Sequence, residues 1–166
     1  IIFGDGAAAV LVKPDAKQNK TLSMEAFHCD LLPQASSAMA WAIGDNGFDI
    51  VLKSYIPEVI ESGIAGFMAK LLQQENMLAV DHYAIHPGGV KILHACETAL
   101  NISKEKNKHS YQVMRNYGNM SSATVLFVLK ELMADLTADN HQETIFSCAF
   151  GPGLTLESMI LKVHHA

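Results

Sequence analysis

Three polar points in the sequence have residue types that could act on a carbonyl group. His86 follows a short apolar run, Asn119 precedes a long apolar run, and the Gly151–Pro152–Gly153 turn separates two more. A histidine ring and an asparagine amide each offer an N–H donor, and two donors that converge on one oxygen stabilise an oxyanion or an enolate. Free N–H groups at the start of a helix after Asn119 would favour negative charge at the same place. The pattern therefore indicates carbonyl chemistry, provided that the fold brings the three points together.

Each point also has a purely structural interpretation. A histidine before Pro87–Gly88–Gly89 is, taken alone, more often a turn residue or a buried histidine than a catalyst. Asn119 after Gly118 is more often a helix cap or a residue with left-handed backbone angles. Residue types and spacing by themselves therefore leave catalysis as the minority hypothesis.

The spacing of apolar residues predicts the elements that would position these side chains. Short apolar or alternating runs predict strands at Ala7–Val12, Leu22–His28, His82–His86, Thr144–Phe150 and Leu154–Val163. Spacings of three and four predict helices at Ser54–Leu72, Ile92–Leu100, within Ser103–Asn116, and at Ser121–Leu136. The first two strands are expected to pair with each other, Ser54 is a candidate N-cap, and residues 34–47 are expected to form a loop or short helix. The prediction is one α/β domain over residues 1–166, with a mixed five-stranded β-sheet covered by α-helices.

Composition and charge argue against several classes of function. The chain has 12 Lys and Arg residues against 17 Asp and Glu, which disfavours a nucleic-acid partner. Its longest apolar run, Met120–Leu129, is shorter than the roughly 20 residues of a membrane span. Cys29, Cys96 and Cys148 are odd in number and lack metal-site spacing, so we expect buried free thiols in the cytoplasm. Adjacent His164 and His165 on a strand would face opposite ways, so no metal site is expected.

Four segments resemble the signatures of one protein family, in that family's order. They are Phe3–Gly4–Asp5–Gly6–Ala7–Ala8–Ala9, His86–Pro87–Gly88–Gly89, Tyr117–Gly118–Asn119–Met120–Ser121–Ser122–Ala123 and Phe150–Gly151–Pro152–Gly153. Together they look like the chalcone synthase and bacterial type III polyketide synthase family. The similarity covers nearly the whole chain and is weakest over Lys13–Ala40. It implies the C-terminal half of a thiolase-like condensing enzyme.

Other thiolase-like enzymes share part of this pattern. The initiating ketoacyl-carrier-protein synthases have similar Gly-Asp-Gly-Ala and Gly-Asn segments. They typically show His-Gln-Ala-Asn where this chain has His86–Pro87–Gly88–Gly89, and Asn-Thr-Ser where it has Asn119–Met120–Ser121. Both differences favour the polyketide branch. The alternatives are a ketoacyl-carrier-protein synthase and a non-catalytic thiolase-like module that binds or dimerises.

The resemblance implies a division of the catalytic residues between two halves of an enzyme. The family's histidine falls on His86 and its asparagine on Asn119, while its cysteine nucleophile falls nowhere in this sequence, which begins at Ile1. An N-terminal half with that cysteine is therefore expected, and the 166 residues alone are expected to be inactive. In the family the cysteine takes an acyl group from acyl-CoA, and malonyl-CoA loses CO2 to give the attacking enolate. A cytoplasmic homodimer without a cofactor beyond its CoA thioester substrates is implied.

The resemblance also implies a substrate cavity. Its wall would include Ser121, Phe150, Gly151, Pro152 and Gly153, while Trp41 and Ile50 match positions that control cavity volume in plant relatives. The aliphatic Ile50, where plant enzymes have an aromatic residue, is compatible with a longer, non-aromatic starter. Ordinary core packing is the alternative for Trp41 and Ile50, with about equal weight.

A further group of residues would lie near CoA. Lys91 follows Gly88 and Gly89 closely, so its ammonium group could meet a phosphate. A solvated helix lysine is the alternative. Ala149 replaces the glycine that is common before the phenylalanine of the last signature, which could narrow the cavity there.

Overall fold

A computed structural model describes residues 2–14 and 19–165 of the protein. The strands are β1 (Lys20–Leu31), β2 (Met39–Gly44), β3 (Gly47–Leu52), β4 (His82–Ile85), β5 (Thr144–Gly151) and β6 (Thr155–His165). The α-helices are α1 (Ile56–Gln74), α2 (Val90–Leu100), α3 (Lys108–Tyr117) and α4 (Thr124–Asp135). The predicted α/β class is thus confirmed, as are the three strands that frame His86 and the Gly-Pro-Gly turn. Among the described residues, no helix has the length and apolar character needed to cross a membrane.

The main sheet is mixed, as predicted, and has the spatial order β1-β6-β5-β4. β4 and β5 run parallel, with Ile85 opposite Cys148, while β6 is antiparallel to both β5 and β1. The carboxyl ends of β4 and β5 therefore meet at one edge of the sheet. His86 directly follows β4 and Phe150 lies in the last two residues of β5, so the sheet topology brings two of the predicted site segments together.

The two faces of the sheet are covered by different helices. Ile145 on β5 and Leu161 on β6 pack with α4, whereas the next residues in alternation, Phe146 and Ile160, pack with α1. Side chains of a strand point alternately to opposite faces, so a strand covered on both sides must be apolar throughout. This explains why β5 shows no alternation of apolar and polar residues, with Thr144 to Cys148 all buried. Because α1 and α4 cover both faces, the strands that lead to the site are buried.

Helix α1 confirms the clearest helical pattern in the sequence. Its predicted stripe is buried, including Ile60, Ile64 and Leu71, none of which is exposed at all. The N-cap is Tyr55 rather than the predicted Ser54, and no side chain bonds to the free amides there. Pro57 lies in the first turn, where a missing N–H costs nothing.

The predicted strand Ala7–Val12 is wrong. These residues form no strand, and Val10, Leu11 and Val12 are 65%, 76% and 63% exposed. A strand needs a neighbour for its backbone groups and an apolar surface for its side chains. The described part of the chain supplies neither, since β1 pairs with β6 instead. The main sheet therefore has four strands in the described residues, where five were expected.

Residues 39–52 form a hairpin where most of this stretch was expected to be loop. β2 and β3 pair antiparallel, with Trp41 opposite Ile50 and Ile43 opposite Phe48. The Asp45–Asn46–Gly47 sequence is a strong turn signal that could have revealed the hairpin. The pattern was missed because this two-stranded sheet is exposed over most of its length, so it lacks a clear alternation of apolar and polar residues.

The three cysteines are free thiols, and one of them departs from the prediction. Cys96 and Cys148 are buried, as expected, whereas Cys29 on β1 is exposed.

Candidate active site

An open cavity of about 1040 Å³ lies at the edge where β4 and β5 end. It gathers most of the residues that the sequence singled out, namely Trp41, Ile50, His86, Gly88, Lys91, Asn119, Ser121, Phe150, Gly151 and Pro152. Gly89 and Gly153 do not line it. The fold thus joins segments that are far apart in the sequence into one concave site.

His86 is the first residue after β4, and its backbone N–H donates to the carbonyl of Cys148 at 2.9 Å. The residue is only 8% exposed, and its ring makes no hydrogen bond within the described residues. Burial lowers the pKa of His86 to about 4, because a charged imidazolium is poorly solvated there. At neutral pH the ring is therefore neutral and has one N–H to donate.

Asn119 follows α3 and is also 8% exposed. Its side-chain Nδ2 donates to the carbonyl of Gly88 at 3.3 Å, and its Oδ1 accepts from the N–H of Ser121 at 2.9 Å. These two bonds orient the amide and leave the second N–H of Nδ2 for a ligand. A Cβ placed on Gly88 would lie 3.9 Å from His86 Nε2. The His86 ring and the Asn119 amide therefore both lie next to Gly88.

The first signature segment clamps the backbone of Asn119, a role that the sequence did not predict. Gly4 N–H donates to Asn119 O at 3.0 Å, and Asn119 N–H donates to Ile2 O at 2.8 Å. A Cβ on Gly4 would lie 2.3 Å from Tyr117 O, and one on Gly118, at φ +73°, would lie 2.8 Å from Ile2 O. Only glycine permits such close backbone contact. Gly4 and Gly118, each in its own signature segment, were the signal that could have revealed the clamp.

The start of helix α4 differs from the prediction. A 3₁₀ turn over Ser121–Ala123 precedes the helix, which begins at Thr124. The N–H of Met120 donates to Thr124 Oγ1 at 2.8 Å, and the N–H of Ser121 is bonded to Asn119. Two of the amides that we expected to be free for a negative charge are thus already satisfied by side chains. Ser121 itself lines the cavity.

The hairpin forms one wall of the cavity. Trp41 and Phe48 pack against each other with ring centroids 5.7 Å apart, and Phe48 is a lining residue that the sequence analysis missed. Trp41 and Ile50 are 54% and 46% exposed, so they are not core residues of this chain. Gly153 N–H donates to Met39 O at 2.7 Å, which ties the Gly-Pro-Gly turn to the hairpin.

The remaining polar groups of the site fall into two sets. Lys91 is exposed in the first turn of α2 at the cavity and makes no ion pair within the described residues. Cys148 is fully enclosed below the cavity, and burial raises the pKa of its thiol well above the ordinary value, so it is unsuited to act as a nucleophile. No group of three or more His, Cys, Asp or Glu side chains that could hold a metal ion occurs in residues 2–14 and 19–165.

Comparisons with known proteins identify the family of this chain. The sequence matches the family model for the C-terminal domain of chalcone and stilbene synthases over residues 23–164. Type III polyketide synthase A of Arabidopsis thaliana is 34% identical, over 97% of this chain and 43% of the relative. The α-pyrone synthesis polyketide synthase-like protein Pks18 of Mycobacterium tuberculosis is 30% identical, over 98% of this chain and 43% of the relative.

Solved structures give the same result. The C-terminal type III polyketide synthase domain of Steely1, from Dictyostelium, has a TM-score of 0.79 and 31% identity, over 90% of this chain and 42% of that chain. The 1,3,6,8-tetrahydroxynaphthalene synthase of Streptomyces coelicolor has a TM-score of 0.80 and 25% identity, over 87% and 42%. The chain spans less than half the length of these relatives. Its α/β fold is thiolase-like, and it belongs to the chalcone and stilbene synthase family, whose C-terminal domain it matches.

Proposed function

We propose that this chain supplies the oxyanion-stabilising and enolate-stabilising half of a type III polyketide synthase. The observation that carries the proposal is the pair of buried donors, His86 and Asn119, which flank Gly88 at one open cavity. A cysteine thiolate in the N-terminal half would attack acyl-CoA, forming an acyl thioester and releasing CoA. Malonyl-CoA would lose CO2 to give an enolate, which attacks the acyl carbon, forms the new C–C bond and releases the thiolate.

The division of labour follows from where negative charge develops. The neutral His86 ring would donate its one N–H to the thiolate before the acyl group is loaded, and to the thioester oxygen afterwards. Asn119 would donate the free N–H of Nδ2 to the enolate oxygen as CO2 leaves, an interaction typically worth about 3 to 4 kcal/mol in the transition state. The electron pair of the enolate comes from the broken C–CO2 bond, so no strong base or further cofactor is required.

The other cavity residues would bind the substrate and limit the size of its acyl chain. Lys91, beside Gly88 and Gly89 at the start of α2, would place an ammonium group near a CoA phosphate. Ser121, Phe150, Gly151 and Pro152 would form one side of the acyl cavity, and Gly153 would hold their turn against the hairpin. Trp41 and Ile50 on the hairpin would form the other side. The aliphatic Ile50 favours a longer, non-aromatic starter.

The N-terminal half of the enzyme would cover the exposed apolar surfaces of this chain. Val10, Leu11 and Val12 form an exposed apolar run without a strand partner in the described residues, and Met24 and Phe27 extend from the uncovered side of β1. Apolar surface of this kind commonly marks an interface. We place the complete enzyme in the cytoplasm as a homodimer, and the three free thiols support the reducing compartment.

Replacing Asn119 with Ala in the full-length synthase tests the proposal. We expect malonyl-CoA decarboxylation, measured by CO2 release, to fall by roughly 100-fold, because the enolate loses one of its donors. Loading of the starter on the cysteine, measured by mass spectrometry of the protein, should persist. Asn116→Ala is the matched control, since Asn116 is exposed at the end of α3.

Undiminished condensation by the Asn119→Ala enzyme would contradict the assignment. The 166 residues alone should make no ketide from acyl-CoA and malonyl-CoA, since the nucleophile belongs to the other half. Ketide product from that incubation, detected by mass spectrometry, would also count against the proposal.

A further inference from the structure

The peptide group between Ile85 and His86 is held from both ends. Its N–H, which belongs to His86, donates to Cys148 O on β5 at 2.9 Å. Its C=O, which belongs to Ile85, accepts a hydrogen bond from the hydroxyl of Ser110 at 2.7 Å. Ile85 and Ser110 are completely buried. Because the peptide is planar, two opposed hydrogen bonds fix its tilt, and His86 Cα is attached directly to it.

The Ser110 bond takes the place of a missing strand. β4 is the outermost strand of the sheet in the described residues, with β5 on one side only. The carbonyl of Ile85 faces the other side, where α3 packs against β4. A buried carbonyl without a partner costs about 1 to 3 kcal/mol, so the hydroxyl satisfies a real requirement. It does so one residue before the candidate catalytic histidine.

The same helix also leads to the second donor. α3 ends at Tyr117, and Gly118 and Asn119 follow it directly. One end of the α3 segment thus holds the peptide of His86 through Ser110, and the other carries Asn119. Asn119 is linked back to the histidine loop through Gly88. The separation of the two donors therefore depends on how α3 is attached to the end of β4.

We propose that Ser110 is a positioning residue of the synthase, whose hydroxyl sets the place of the His86 ring relative to Asn119 and the substrate carbonyl. The inference rests on the proposed function, because it assigns Ser110 a role only through His86. A displacement of about 1 Å at a reacting centre can cost on the order of 100-fold in rate. Loss of one buried hydroxyl should therefore affect turnover more than its effect on folding explains.

Ser158 provides a matched comparison. Its hydroxyl also donates to a backbone carbonyl, that of His28, at 3.1 Å, and the residue is only 6% exposed. Ser158 does not line the cavity and bonds to β1, on the opposite side of the sheet from β4. Ser110→Ala and Ser158→Ala thus remove the same kind of bond, one on the peptide of the histidine and one two strands away, between β6 and β1.

The experiment uses the full-length synthase with malonyl-CoA as the probe and CO2 release as the assay. Ser110→Ala should lower kcat about 10-fold and leave KM within about twofold, because the bound substrate meets misplaced donors. Ser110→Thr, which keeps the hydroxyl, should recover most of the lost kcat. Ser158→Ala should lower the melting temperature by about as much as Ser110→Ala does, and it should leave kcat unchanged.

Three results would overturn the inference. They are a wild-type kcat in Ser110→Ala, an equal loss of kcat in Ser158→Ala, and a Ser110→Thr enzyme that melts with the wild type yet turns over as slowly as Ser110→Ala. His86→Ala, assayed in parallel, separates this inference from the proposed function. If His86→Ala decarboxylates malonyl-CoA normally, the proposed function fails; if it is inactive while Ser110→Ala is normal, only the role of Ser110 fails.

Discussion

The floor and the wall of the cavity are built in different ways. At the floor, His86 and Asn119 are almost completely buried, and their backbones are bonded to Cys148, Ile2 and Gly4. At the wall, the β2–β3 hairpin leaves most of its large apolar side chains exposed, from 46% for Ile50 to 88% for Ile43. A hydrogen bond from Gly153 to Met39 ties this hairpin to the rest of the site.

This difference matches two kinds of requirement. Donors that stabilise a developing charge must be held in place before the reaction, because reorganising them would cost part of the gain. A wall that selects the length of an acyl chain needs only shape, and it can change without disturbing the donors. We therefore expect changes at the floor to abolish turnover and changes at the hairpin to alter the product.

The largest expected effect is at the glycine clamp of the floor. Gly4→Ala would place a Cβ 2.3 Å from the backbone carbonyl of Tyr117, so the segment that holds Asn119 must shift. In the full-length enzyme we expect malonyl-CoA decarboxylation to fall by about 100-fold. Gly66→Ala on the exposed side of α1 is the control, since nothing lies within 4 Å of the Cβ that it would add. If the two variants were equally active, the glycine clamp would not be needed to hold Asn119 in place.

The second effect concerns acid stability and comes from His86. The folded-state pKa is lowered by burial to about 4 against 6.5 for a free histidine, so the unfolded chain binds the proton more readily. The stability is fully present above pH 6.5 and falls as the pH drops from 6.5 to 4. The loss amounts to about 3 kcal/mol from this group.

His86→Gln should abolish this part of the acid sensitivity, because glutamine does not titrate. Urea unfolding of wild type and variant at pH 7.5 and pH 4 measures the difference between their free energies of unfolding. If the two proteins lose the same free energy on acidification, His86 is not a buried neutral group, and the description of the floor is wrong.

The smallest effect is expected at the wall. Ile50→Phe would add a ring to the hairpin face of the cavity, and steric exclusion of one or two methylene groups typically changes selectivity about 10-fold. The ketide products, measured by mass spectrometry, should shift toward shorter chains. Ile43→Phe is the matched control, because Ile43 lies on the same hairpin, is 88% exposed and does not line the cavity. An identical product profile for Ile50→Phe would exclude the hairpin as a selective wall.

Much of this organisation could be predicted from local patterns. The stripe of α1 and the short, mainly apolar runs of β4 and β5 predicted buried elements, because burial on one or both faces selects apolar residue types. His86 and Asn119 stood out because they follow or precede such runs next to glycine-rich turns. The β2–β3 hairpin left a weaker mark, because most of it is exposed and its residues are not selected for a core.

The failed prediction for Ala7–Val12 has a different cause. Its residue types favour a strand, but a strand forms only beside a partner, and none exists for it in the described residues. Local propensity therefore cannot decide the structure of a segment whose neighbour lies elsewhere.

By itself, the sequence determined the family pattern, the buried helices and strands, and the residue types able to stabilise an oxyanion. These depend on periodicity and on short motifs, which are local properties of the chain. Only the tertiary structure decided that Gly4 clamps Asn119, that Ser110 bonds to the carbonyl before His86, and that the hairpin lines the same cavity as the two donors. Those relations join residues that are distant in the chain, and the packing of α3 and α4 against the end of β4 and β5 brings them together.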